Sequence, residues 1–260
     1  LLARALGPDG RGQLAGIFQP MVLASAVAAL GVPTAVTFYI GRGVRPDRAM
    51  RLAFLISLTA TVAIWAGLML YSTAIANEIM LDRGLLLLIW GAFLPSAFIA
   101  NRRAKLQGLR NYPVLDLERV LGPIFRVLAI VVLWSADVTS VVAYAAGYMI
   151  SGLAASAVLW YPSSSSTVPT PSFGGAELRG LSFLRFALMA SFGTIAGALN
   201  ARLDQALMPA VVPLRELGFY SVAVVIAEIP AIITSVAVRN VLAEASSGVK
   251  GHEVIRDLAV

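Results

Sequence analysis

The chain has 260 residues, 58% of them hydrophobic and only 13% charged, with a net charge of +6, no cysteine and a single histidine, His252, in a polar tail. A soluble domain carries about 25% charged residues, so half the usual polar surface is missing and a water-soluble globule is excluded. The cysteine and histidine inventory also excludes disulfide frameworks, thiolate metal sites and nucleophile–base pairs, and the basic surplus, lodged between apolar runs, suits lipid headgroups rather than nucleic acid.

The composition predicts an all-α integral membrane protein, a polytopic bundle of transmembrane helices. Such a helix needs about 20 apolar residues at ~1.5 Å rise to cross ~30 Å of hydrocarbon. The opening "LLARALGPDGRG" reads as the last turn of a helix that begins upstream, followed by a turn with Pro8 and Gly10 as breakers. Seven spans are expected after it. The first, 13–40, leads into a basic segment with Arg42, Arg45, Arg48 and Arg51, and the second, 52–76, ends at "NEIMLDRG". The third, 84–101, ends in "NRRAKLQGLRNY"; the fourth, 117–135, contains Arg126; and a "SADVTS" turn leads to the fifth, 138–161. The Ser/Pro-rich stretch 162–179 cannot hold a helix. The sixth span, 180–208, and the seventh, 217–239, follow it.

Within the spans, Gly147, Ser151 and Ala155 recur every four residues, as do Gly193 and Gly197, a spacing that lets helix backbones approach closely in lipid. Pro20, Pro33, Pro95, Pro123 and Pro230 remove helical hydrogen bonds and are expected to kink their spans. When the loops are assigned alternately to two sides, fourteen basic residues fall on one side and five on the other, with Arg126 inside a span. The rich side is therefore expected in the cytoplasm, together with the Ser/Pro stretch and the C-terminal tail; the turns "GPDGRG" and "SADVTS" would face outward.

Ionic groups at mid-depth carry the functional signal. Arg126 lies about nine residues into its span, ~13 Å deep. Burying it in lipid would cost about 2.5–3.5 kcal/mol, so it should face protein or water. It either lines a polar cavity, pairs with a neighbouring helix, or snorkels to the near face. Glu228 lies at similar depth in the last span, before Pro230. It can serve as a proton or cation coupling site, or be an acid hydrogen-bonded to a neighbouring helix. The segment "LNARLDQALM" (199–208) carries Asn200, Arg202, Asp204 and Gln205 near the outer boundary. At 100° per residue Asn200 and Asp204 share one face, Arg202 and Gln205 another. The group either anchors the helix at the interface or lines the mouth of a cavity. Gln19, Ser25, Thr34 and Thr37 in the first span are weaker candidates for an inward face.

Two stretches match in order. "ARALGPDGRGQLAGIF" and "ARLDQALMPAVVPLRELGFYSVAVV" each end a helix, turn and re-enter, with Gly12 and Gly218 in comparable places. This is the pattern of an internal repeat of membrane units. The first stretch resembles the start of polysaccharide flippases of the Wzx type, where "ARxLGPxxxG" precedes the second span. "NARLDQALMPAVVPLRELGFYSVAVVIAEIP" resembles their seventh and eighth spans. The family shares a superfamily with MATE-type multidrug exporters and peptidoglycan-precursor flippases.

The resemblance covers essentially the whole chain and implies a layout. Residues 1–161 would form a six-helix N-terminal lobe with its first helix truncated, 162–179 a cytoplasmic linker, 180–240 the first helix pair of a C-terminal lobe, and 241–260 a cytoplasmic segment. It further implies a multi-pass bacterial plasma-membrane protein that flips oligosaccharide linked to a polyprenyl diphosphate by alternating access. Membrane lipids would be its partners, H+ or Na+ its coupling ion, and it would need no cofactor or enzymatic activity. The alternatives are a cation-coupled drug exporter, which requires an anionic cavity, and a membrane-embedded glycosyltransferase or polymerase, which requires an acid cluster beside a large aqueous loop.

Overall fold

Helix accounts for nearly all of the backbone. The computed structural model describes residues 2–91, 93–161, 180–228 and 230, with no strand among them. Within these residues the helices are α1 (Leu2–Ala28), α2 (Val32–Gly41), α3 (Pro46–Ile75), α4 (Arg83–Gly91), α5 (Leu94–Gly108), α6 (Tyr112–Ser135), α7 (Val141–Ser156) and α8 (Gly180–Leu207). Short 3-10 turns follow α7 at Ala157–Trp160 and α8 at Met208–Ala210, and helix resumes over 214–228. The chain divides into two compact units, Leu1–Gly218 and Phe219–Val260. The expected linker 162–179, the tail 241–260 and the far part of the seventh expected span lie outside the described residues.

The bundle is apolar outside as well as inside. Leu70, Leu88 and Phe192 are 75%, 73% and 81% exposed, which only a hydrocarbon solvent tolerates on this scale. Among the described residues four helical stretches are long and apolar enough to cross a membrane, or five when α1 and α2 count as one bent span. The chain is therefore a multi-pass membrane protein. Helix α6 is not among the four, because Glu118, Arg119 and Arg126 crowd its apolar stretch. Its faces divide accordingly. Val120, Ile124, Val127, Val131 and Trp134 point outward, while Leu115 and Glu118 are buried.

The expected span boundaries shift where the backbone breaks. The turn expected over 7–12 contracts to Gly7 (φ 65°, ψ −177°), and the helix restarts at Pro8, so Pro8 and Gly10 are helical and not breakers. A proline in the first turn loses no hydrogen bond there. The first span divides into α1 and α2 at a 42° bend, where Leu30 (φ 43°) and Gly31 (φ 64°) both take left-handed backbone. A side chain on Gly31 would also strike the Ala187 carbonyl and come within 2.7 Å of the Ser191 nitrogen, so the bend is seated directly on α8. Pro33 and Pro95 do not kink helices from within, since each lies in the first turn after a break, of α2 and α5. Pro20 and Pro123 are interior to α1 and α6, whose backbone stays helical around them.

Besides a small cluster of Ile99, Leu106, Leu115 and Leu159, two cores hold the helices. One gathers Ile17, Ile75, Ile79, Trp90 and Tyr144 from α1, α3, α4, α7 and the turn after α3, and is pinned by the Trp90 indole donating to the Ile17 carbonyl at 2.9 Å. The other gathers Val32, Val36, Ile40, Ala53, Phe183 and Ala187, so that α2 and α3 pack on α8, with Phe38 and Phe186 stacked at 4.3 Å. Of the two predicted small-residue rows, Ser151 and Ala155 are buried and Gly147 faces Leu133 and Ala129 of α6. Gly193 and Gly197 meet nothing within 4 Å, so that row packs on no helix among the described residues.

Candidate functional site

Helix α6 presents Arg126 inward because its apolar residues occupy the opposite face. The guanidinium stands over the Tyr148 ring of α7, 4.2 Å from the ring centre. A cation over an aromatic face gains about 2 kcal/mol or more when desolvated. Its Nε is buried and donates to no protein acceptor among the described residues. Of the fates open to Arg126, pairing with a neighbouring helix is seen, as this stack on Tyr148. The side chain borders a cavity of about 180 Å³ lined by Met21, Ser96, Ile99, Arg103, Tyr148 and Gly152 among others.

A second guanidinium reaches the same space. Arg103 lies on α5, and its Nε and Nη2 donate to the two carboxylate oxygens of Glu118 at 3.1 and 2.5 Å. The Glu118 side chain is 8% exposed and that of Arg103 46%. A buried carboxylate needs its partner, so Arg103→Ala is expected to cost about 2–3 kcal/mol, below the range for fully buried pairs because Arg103 is half-exposed. The double change Arg103→Ala/Glu118→Gln should regain most of that loss, as read by thermal unfolding in detergent; equal melting of the two variants would refute it.

On α1, Arg11 is half-buried, and Phe18 packs on the Tyr148 ring with centroids 4.6 Å apart. On its other face α1 borders a second cavity of about 270 Å³, almost wholly apolar, lined by Leu23, Val27, Ile64, Leu68 and Leu207 among others. The Tyr71 hydroxyl donates to the Ala206 carbonyl at 2.6 Å beside it and ties α3 to α8.

The remaining sequence candidates are placed apart from Arg126. Asn200 and Asp204 are exposed on α8, Arg202 is half-buried and Gln205 is buried, so the two faces fall where the 100° spacing puts them. The Gln205 amide nitrogen is buried and donates to no described acceptor. None of the four lines the Arg126 cavity. Gln19 is half-buried on α1 and lines neither cavity. Glu228 is half-buried on helix 214–228, within the second compact unit.

Arg103, Glu118 and Tyr148 were not singled out from sequence. Compared with known proteins, residues 1–243 match a family model described as polysaccharide biosynthesis protein. No curated protein and no solved structure matches the chain.

Proposed function

The chain belongs to the polysaccharide biosynthesis protein family, and from that premise we propose that it is a flippase, which moves oligosaccharide on a polyprenyl diphosphate carrier from the inner to the outer leaflet of a bacterial plasma membrane. The physical problem is to take a sugar head and a diphosphate through hydrocarbon. An unpaired charge there costs several kcal/mol or more, so the path needs a polar and preferably cationic lining.

One observation carries the reading. Arg126, whose buried Nε has no acceptor among the described residues, borders a cavity with Arg103 inside an otherwise apolar bundle. Guanidinium groups are the side chains best fitted to phosphate oxygens. The apolar cavity across α1 offers hydrocarbon surroundings for the carrier chain close by. In this account the arginine-rich ends at Arg42–Arg51 and Arg102–Arg110 face the cytoplasm, the tail included. Two lobes rock to open the cavity to each leaflet in turn, and Glu228 is the candidate for coupling to H+ or Na+. The protein binds and moves its substrate without chemical change. A cationic lining favours this over an exporter of cationic drugs.

Deleting the gene tests the reading. Surface polysaccharide should fall and the lipid-linked intermediate should accumulate on the inner leaflet. Normal export with no accumulation would reject it.

A further inference from the structure

The cavity holds two guanidinium groups in different states. Arg126 lines the cavity with its Nε buried and without an acceptor among the described residues, whereas Arg103 has its Nε/Nη2 edge closed by both oxygens of Glu118. Glu118 stands eight residues before Arg126 on α6; it meets Arg103 of α5, while Arg126 meets Tyr148 of α7. The pair leaves Arg103 with its end-on edge for a ligand, held in orientation by a buried carboxylate, and it cancels one of the two positive charges.

A transporter gains nothing from an anion it cannot release. Transport requires a site attractive enough to fill yet weak enough to empty. Two unopposed guanidinium groups in a low-dielectric pocket would hold a diphosphate tightly, because charge-assisted bonds to phosphate strengthen as water is excluded.

Building on the flippase reading, we propose that Glu118 is a release-tuning positioning residue. It fixes Arg103 toward the diphosphate and keeps the cavity's net charge near +1, so that the anion leaves. Glu118 touches Arg103 and acts through it. Removing its charge while keeping its shape should therefore tighten binding and slow transport. Loss of a purely structural ion pair would weaken both.

The experiment uses the full-length protein in discs of zwitterionic lipid, with inorganic pyrophosphate as the probe, and reads its dissociation constant beside export rate in cells. Glu118→Gln should lower the dissociation constant about tenfold and cut export severalfold, with its melting temperature showing that the fold is kept. Glu118→Asp retains the charge with a shorter reach and should not tighten pyrophosphate binding as Glu118→Gln does. Unchanged or weaker binding by a folded Glu118→Gln, while the unaltered protein binds pyrophosphate and Arg126→Gln does not, overturns the role of Glu118 and leaves the flippase reading standing. Absence of binding by every form, the unaltered one included, overturns both. Should Glu118→Gln fail to fold, affinity in Glu118→Asp decides: a tightening of tenfold or more refutes a role set by charge.

Discussion

Replacing Gly12 with alanine is expected to break the contact between α1 and the helical segment at 214–218. A Cβ on Gly12 would run into the Leu214 carbonyl and lie 3.1 Å from the Gly218 nitrogen. A Cβ on Gly218 would run into the Pro8 carbonyl and lie 3.2 Å from the Gly12 nitrogen. Each glycine thus packs on the other's nitrogen and on the carbonyl four residues before the other. The obstructing atoms are backbone and have no rotamer to change, so the cost should reach the upper end of overpacking, about 3 kcal/mol. Either single change should lower the melting temperature by several degrees and reduce the amount of protein in the membrane. Once one substitution has pushed the helices apart, the second meets less resistance, so Gly12→Ala/Gly218→Ala should cost less than the sum of the two. Gly193→Ala is the control. Nothing lies within 4 Å of that position, and alanine suits a helix better by up to about 1 kcal/mol. Strict additivity at the crossing, or equal damage from Gly193→Ala, would contradict the packing described.

Arg126→Gln is expected to reduce export at least tenfold with normal membrane abundance. Glutamine keeps a polar head but loses the charge, the stack on Tyr148 and the donors that face the cavity. One charge-assisted bond contributes about 1.5–3 kcal/mol, enough for a tenfold change or more. Arg126→Lys should recover only part of the activity, since an ammonium is a point charge without the planar fork. Tyr148→Phe keeps the ring beneath Arg126 and should leave export within about threefold. A parallel fall in export and abundance for Arg126→Gln would assign the residue to folding.

The spans were legible because uncharged windows such as 52–77 and 138–175 are long enough to cross a bilayer. The breaks at Gly31 and before Leu94 were not, because the residues on both sides remain apolar and hydropathy does not register backbone dihedrals. Pro33 and Pro95 flagged these places but were taken as kinks within a helix, where the structure uses them to start a new one.

The same contrast holds for the site. Arg126 stood out as a lone cation in an apolar run. Arg103 did not, since it sits in a basic cluster that also serves topology, and its pairing with Glu118 joins residues fifteen apart across a helix turn. Tyr148 on a small-residue helix reads as packing until Arg126 is seen over its ring. The repeat suggested by Gly12 and Gly218 pointed to equivalent positions; that these positions touch is tertiary information.

The most direct test of the central claim, that Arg126 borders a water-accessible path through the bundle, is labelling of a single cysteine at Ser96. This position lines the Arg126 cavity, and the 260 residues contain no cysteine of their own. In sealed vesicles, Ser96→Cys should react with a membrane-impermeant maleimide and be protected by lipid-linked oligosaccharide. Reaction only with a lipid-soluble reagent, at a rate the substrate leaves unchanged, would show that the position faces acyl chains and would contradict the account.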